Sequence, residues 1–206
     1  MFIQVIEGRT SDPEAVHRQI EVWERELQPG ATGYLGSAGG CTADGMCVLV
    51  ARFEDRAAAE RNSDRPEQGE WWATTEQCFD GPVTFHDSED VHVMQHGRLE
   101  DAQFVQVMEG HVTDRARADQ LELESDPVLA EARPDLLGSI TAFFDDGEYA
   151  DIAYFTSEAE ARDAERMDMP PELAAKFGEW EQVMKVDRYL DLPQPWLVSA
   201  GSSAGS

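Results

Sequence analysis

Two histidines and a glutamine are the residues of this chain best suited to chemistry. Gln4 lies in the middle of an alternating, β-branched segment that is typical of a strand. A buried amide needs hydrogen-bond partners, so Gln4 and the similarly placed Gln106 could orient a ligand or could satisfy neighbouring backbone groups. His17 lies beside the apolar stripe of the next helix, and His86 lies at the end of a later strand. Because imidazole titrates near neutral pH, we predict that Gln4, His17 and His86 are catalytic, with structural roles as the alternative.

A second group of candidates is largely aromatic and would form the wall of a cleft. Adjacent helical residues diverge by about 100°, so the neighbouring Trp71 and Trp72 cannot both face a core. One of them is expected to pack in the core and the other to line a ligand cleft or an interface. The predicted substrate-binding side chains are Trp71, Trp72, Trp23, Tyr34, Phe79 and Gln106.

The segment 86–96 carries three histidines and three acids, side chains that can hold zinc or iron. Their spacing matches no compact ligand motif, and the segment falls where a linker is expected, so we predict no metal site. Glu7 and Glu109 end equivalent strands, either as exposed strand ends or as a general base in a pocket. The chain has neither a glycine-rich phosphate loop nor a G-x-S-x-G nucleophile motif.

The elements that must position these residues occur twice in the sequence. The run Phe2–Gly8 returns 102 residues later as Phe104–Gly110, and the turn Asp44-Gly45 returns at the same offset as Asp146-Gly147. One offset that holds over some fifty residues indicates two copies of one unit. Asp12-Pro13 starts a helix in the first copy, because aspartate caps helices and proline suits their first turn.

Each copy reads strand, helix, strand, strand, helix, strand, which is the ferredoxin-like α+β arrangement. A hairpin is expected around each Asp-Gly pair. The predicted organisation is a first repeat over 1–87, a linker over 88–101, a second repeat over 102–192 and a tail over 193–206 that is disordered after 198.

The composition limits the possible partners. The chain has 42 acidic and 16 basic residues, a net charge of −26, which repels phosphate backbones and argues against nucleic acid as a partner. This acidity suits either an ordinary solvated surface or a host with high internal salt. A melting temperature that stays flat or falls with added KCl would exclude the second interpretation.

The three cysteines, Cys41, Cys47 and Cys78, contain no C-x-x-C pair. An odd number of cysteines favours reduced thiols and a cytoplasmic location, although Cys41 and Cys47 could pair in one hairpin register. No apolar run reaches the length of a membrane span and no signal peptide is visible, so no membrane association is expected.

The repeated order, with a first strand that ends in Glu-Gly, resembles the dimeric α+β barrel superfamily, and most closely its antibiotic-biosynthesis-monooxygenase-like branch. The segment Ser63–Trp72 is also similar to one in tandem proteins of actinobacteria. The resemblance implies that both halves of a barrel lie on one chain, as a monomeric pseudo-dimer or as part of a further homodimer. Haem-degrading members carry an asparagine on the first strand and a histidine on the second helix. This chain has Gln4 and Gln106 and no such histidine, so haem is not expected.

The resemblance implies a protein that binds an aromatic small molecule. The first hypothesis is a monooxygenase that oxidises an aromatic or polyketide-type substrate without a cofactor, its anion reacting directly with oxygen. The alternative is a non-catalytic binding or structural protein of the same fold, in which the duplicated site has decayed.

Overall fold

The computed structural model describes residues 1–168 and 171–200 and divides them into two compact units. Unit 1 comprises Met1–Asp90 with the C-terminal segment from Pro195, and unit 2 comprises Val91–Gln194. None of the helices in the described ranges combines the length and apolar character that a bilayer crossing requires.

Unit 1 packs three helices against one face of a five-stranded antiparallel sheet. The strand order is β10-β2-β3-β1-β4, in which the last four are in the ferredoxin-like order. Its strands are β1 (Phe2–Arg9), β2 (Tyr34–Cys41), β3 (Met46–Phe53), β4 (Thr84–Ser88) and β10 (Trp196–Ser199), and its helices are α1 (Pro13–Val22), α2 (Arg56–Ser63) and α3 (Pro66–Thr75).

Local sequence explains the ends of these elements. The Asp12 carboxylate accepts a hydrogen bond from the Ala15 amide and caps α1, and Asp55 caps α2 through the Ala58 amide. Gly45 adopts a positive φ of 83° in the β2–β3 turn, a conformation that glycine reaches without steric cost. After α1 the chain widens into a π-helical turn, Trp23–Leu27, which buries both of its end residues.

Unit 2 repeats the arrangement with the strand order β5-β7-β8-β6-β9. The Asp114 carboxylate caps its first helix as Asp12 caps α1. Its strands are β5 (Asp90–Gln95), β6 (Phe104–Val112), β7 (Leu136–Phe143), β8 (Glu148–Phe155) and β9 (Met184–Leu192), and its helices are α4 (Arg115–Ala132), α5 (Glu158–Arg166) and α6 (Pro171–Val183).

The expected linker and tail each contain a strand. Within the range 88–101, β5 joins the edge of the second sheet, and in the tail β10 pairs with β2 of the first sheet, with Trp196 opposite Gly39. The disorder expected after residue 198 does not apply to Ser199, which belongs to β10, and residues 201–206 lie outside the described residues. An edge strand of each sheet offers unpaired backbone groups, which these segments cover.

Two of the three cysteines form a disulfide, so the expectation of reduced thiols is wrong for Cys41 and Cys47. The β2–β3 register places these residues directly opposite each other, three residues either side of Asp44. Cys78 is free and packs in the same apolar cluster.

Reduction should therefore weaken unit 1. Removing a crosslink that closes so short a loop lowers the free energy of unfolding by about 2 kcal/mol in the chain-entropy model. Chemical denaturation with and without dithiothreitol measures this change, and a Cys41→Ser/Cys47→Ser double variant should match the reduced protein. Equal midpoints with and without reductant, or three alkylatable thiols in the unreduced native chain, would contradict the crosslink.

Candidate functional site

A cavity of about 260 Å³ lies in unit 1 between the helices and the helix-facing side of the sheet. Side chains alternate along a strand, so Phe2, Gln4 and Ile6 of β1 share this face while Ile3 and Val5 point away from it. Leu49 and Ala51 of the adjacent strand β3 also belong to the floor.

Gln4 contributes a polar side chain to the floor. Its amide Nε2 donates a hydrogen bond to Asp87 Oδ1 at 2.8 Å, because β4 pairs with β1 in a register that puts Asp87 directly opposite Gln4. Arg56 at the start of α2 lies near the same carboxylate, with Nη1 3.9 Å from Asp87 Oδ2. Its guanidinium also lies 4.9 Å from the centroid of the Phe2 ring. Asp87 and Arg56 both line the cavity.

Aromatic rings from the sheet and the helical side form one wall of the cavity. The indole of Trp23 lies 4.8 Å from the Tyr34 ring and 6.4 Å from that of Trp71, measured between centroids. Each tryptophan is held by a hydrogen bond: Trp23 Nε1 donates to Gln68 Oε1 at 2.8 Å, and Trp71 Nε1 donates to the Gln19 carbonyl at 2.8 Å. These bonds fix the orientation of the rings, so the wall is rigid before a ligand arrives.

The cavity brings together four of the predicted site residues: Gln4, Trp23, Tyr34 and Trp71. Tyr34 also donates from its hydroxyl to Ser37 Oγ at 2.7 Å, which places a polar group beside an otherwise apolar wall. The cavity further includes Asp87, Arg56 and Trp196, which the sequence interpretation did not select.

Five predicted residues lie elsewhere. His86 is next to Asp87 on β4 and opposite Val5, so strand alternation turns it to the other face of the sheet. His17 stacks on the Trp196 ring, with centroids 4.8 Å apart, and does not line the cavity.

Trp72 and Phe79 pack in an apolar cluster beside the cavity, and Gln106 belongs to unit 2. Trp72 contacts the Phe85 ring edge-on at 5.1 Å, and Phe79 lies against Gly8, where any Cβ would fall 2.6 Å from the ring. Both rings are therefore part of the packing of α3 and the turn that follows it.

Unit 2 contains the same polar constellation. Gln106 Nε2 donates to Asp191 Oδ1 at 2.8 Å across β6 and β9, and Asp191 pairs with Arg162. The Arg162 guanidinium lies 5.2 Å from the Phe104 ring. The four residue types that meet around Gln4 thus meet again around Gln106, with arginine supplied from the equivalent helix.

Three positions of the equivalent region in unit 2 are polar where unit 1 is apolar. At the repeat offset, Ile20, Leu49 and Gly39 of the cavity correspond to Glu122, Asp151 and Thr141. Thr141 Oγ1 donates to Asp151 Oδ1 at 2.8 Å, and the His92 ring contacts Glu122 through Nδ1.

Burial raises the pKa of two of these carboxyl groups. It raises the pKa of Asp151 to about 6, with the hydrogen bond from Thr141 acting in the opposite direction. It also raises the pKa of Glu122, partly offset by the hydrogen bond to His92. The two units therefore share a fold and one polar constellation but differ in the chemistry of the helix–sheet contact. No group of three or more His, Cys, Asp or Glu side chains suited to a metal ion occurs among residues 1–168 and 171–200.

No protein-family model and no curated protein matches the sequence. Solved structures do match over the full chain. One is a protein of Lactobacillus acidophilus provisionally described as a monooxygenase, 14% identical over 97% of each chain with a TM-score of 0.74. Another, from Fusobacterium nucleatum and described in the same way, is 10% identical over 96% of this chain and 94% of its own, with a TM-score of 0.75. A third, an anthrone oxidase-like protein, is 11% identical over 100% and 95%, with a TM-score of 0.69.

At such identities the likeness establishes the fold alone. The prediction of two ferredoxin-like α+β repeats on one chain is confirmed.

Proposed function

We propose that the chain oxidises an electron-rich phenol with molecular oxygen and no cofactor, in the cavity of unit 1. The observation that supports this proposal is a fixed amide–carboxylate pair, Gln4 and Asp87, facing a wall of held aromatic rings. A volume of about 260 Å³ lies just below the usual range of ~300–1,000 Å³ for ligand pockets, which suits a substrate of two or three fused rings.

Gln4 orients the substrate in this proposal. One Nε2 hydrogen is donated to Asp87, which leaves the second hydrogen for the oxygen of the substrate. A donor held in place before the reaction stabilises the negative charge that develops on this oxygen. Trp23, Tyr34 and Trp71 hold the rings by stacking and exclude water.

The overall reaction balances without a reductant. For 1-naphthol, one O2 is consumed, one of its oxygen atoms enters the ring at C4 as the second carbonyl, and the other leaves as water with two hydrogens of the substrate. The product is 1,4-naphthoquinone, and all four electrons that reduce O2 come from the naphthol. The similar structures described as monooxygenases and as anthrone oxidase-like support this choice of chemistry.

The test is oxygen uptake with 1-naphthol as the probe. We expect one O2 consumed for each naphthoquinone formed, and a loss of about 10²-fold or more in kcat for Gln4→Leu, the order seen when one such hydrogen-bond donor is removed. Gln106→Leu is the matched control, because it removes the equivalent amide from unit 2 and should leave turnover within about twofold. Binding of naphthol in the cavity without oxygen uptake would contradict the proposal and favour a non-catalytic binding protein.

A further inference from the structure

We propose that Asp87 is the catalytic base of unit 1 and that it selects uncharged, hydroxyl-bearing aromatic substrates. This inference rests on the proposed function and adds a residue and a substrate class to it. Asp87 lines the cavity beside Gln4, and its side chain keeps 38% of its exposure, so a ligand in the cavity can contact its carboxylate.

The two oxygens of the carboxylate have different surroundings. Oδ1 accepts the Gln4 hydrogen bond at 2.8 Å, which fixes the plane of the group. The contact of Oδ2 with Arg56 is long, at 3.9 Å, because Arg56 is drawn toward Glu89, with its Nε 3.1 Å from Glu89 Oε2. Oδ2 is therefore placed to accept a hydrogen bond from a substrate hydroxyl next to the second Gln4 hydrogen.

The charges around the cavity limit the ligand. The charged residues of its lining are Arg56, Glu60, Asp64 and Asp87, which are one base and three acids. Arg56 forms ion pairs with both Glu89 and Asp87, so its positive charge is already offset. A carboxylated or phosphorylated aromatic would meet net negative charge at close range, whereas a neutral phenol would meet an acceptor for its proton.

The proton step is simple. The phenol O–H bond breaks, the proton forms an O–H bond with Asp87 Oδ2, and the electron pair stays on the phenolate oxygen. The phenolate is stabilised by the Gln4 N–H and by the nearby Arg56 guanidinium, and it is then the electron-rich species that O2 oxidises. After oxidation, the proton held by Asp87 leaves with the water that is formed.

Asp87→Asn tests the role, with Asp191→Asn as its matched control. Asparagine keeps the size of the side chain and can still accept from Gln4, but it cannot take a proton. We expect kcat with 1-naphthol to fall by about 10²–10⁴-fold in Asp87→Asn, the usual contribution of a general base, and to stay within about twofold in Asp191→Asn. Asp87→Glu should recover part of the rate, because it restores a carboxylate that can accept the proton.

Binding without oxygen separates this inference from the proposed function. Under anaerobic conditions the wild type should bind 1-naphthol more tightly than 1-methoxynaphthalene, which has no proton to donate, and Asp87→Asn should lose this preference. An unchanged preference in Asp87→Asn, or equal losses of turnover in Asp87→Asn and Asp191→Asn, would overturn the role of Asp87. Absence of oxygen uptake by the wild type would contradict the proposed function. The anaerobic comparison of 1-naphthol with 1-methoxynaphthalene would still show whether Asp87 recognises the substrate hydroxyl.

Discussion

Asp151→Asn should make the protein more stable than the wild type at pH 7.5, and the difference should disappear toward pH 4. Asp151 of β8 lies in the helix–sheet contact of unit 2, where the equivalent residue of unit 1 is Leu49. Burial raises the pKa of its carboxyl from 3.8 to about 6, so the ionised form is disfavoured in the folded state.

The direction of the effect follows from proton binding. Between pH 3.8 and about 6 the folded chain holds a proton at Asp151 that the unfolded chain has released, so wild-type stability falls as the pH rises through this window. Above about pH 6 this loss of stability is complete. It amounts to at most about 3 kcal/mol, and the partial exposure of the Asp151 side chain lowers it. Asparagine carries no charge and can still accept the Thr141 hydrogen bond. The stability of the Asp151→Asn variant therefore lacks this pH dependence.

Urea unfolding at a series of pH values measures the difference. Asp145→Asn is a suitable control, because this exposed carboxyl lies in the β7–β8 turn of the same unit and should shift stability by a few tenths of a kcal/mol at most. Two results would contradict this prediction: an Asp151→Asn variant less stable than the wild type at pH 7.5, or a stability difference that is constant from pH 4 to 8. Either would show that burial of the ionised Asp151 carboxylate does not destabilise the folded state.

Trp23→Ala should remove about 3–5 kcal/mol from the stability of unit 1, the usual loss for a buried tryptophan. Trp23 is 8% exposed, begins the π-helical turn, and contacts both Tyr34 and Trp71. Its removal enlarges the cavity and leaves Gln68 without its indole partner, so affinity for 1-naphthol should fall with stability.

Trp23→Phe keeps an aromatic ring but removes the hydrogen bond to Gln68, and it should lower the free energy of unfolding by about 1 kcal/mol. Ser125→Ala changes the equivalent position of unit 2, where Ser125 Oγ accepts instead from Trp180 Nε1 at 3.3 Å, and it should leave naphthol binding unchanged. Circular dichroism during guanidinium titration measures the stability of all three variants, and an anaerobic titration with 1-naphthol measures their binding. A loss below about 1 kcal/mol for Trp23→Ala would mean that the aromatic wall is not part of the core.

Short-range patterns in the sequence predict most of the fold. The alternation of Phe2–Gly8 defines both the strand and the face that Gln4 shares with Phe2, and its return at Phe104–Gly110 identifies the second unit. The Asp-Gly turns place the two hairpins, and Asp12 and Asp114 start the helices that cover them.

The candidate site is less predictable because it depends on contacts between distant residues. Asp87 is 83 residues from Gln4, and only the β1–β4 register brings the two side chains together. That register also sends His86, its neighbour, to the opposite face. Trp196 reaches the cavity through a short strand in a segment interpreted as a tail. One signal for β5 is present in the sequence, since Val91–Met94 is a short, mostly apolar run with two β-branched residues, which favours a strand. The pairing of Cys41 with Cys47 was one of two open alternatives, and the hairpin register decides between them.

The most direct test of the central claim, that unit 1 holds the ligand site, is an NMR titration of the indole N–H groups with 1-naphthol under anaerobic conditions. The chain has five tryptophans: Trp23, Trp71, Trp72 and Trp196 belong to unit 1, and Trp180 belongs to unit 2. We predict saturable shifts for Trp23, Trp71 and Trp196, which line the cavity, and an unmoved Trp180 signal. A shift confined to Trp180, or no saturable shift in Trp23 and Trp71, would contradict a ligand site in the cavity of unit 1.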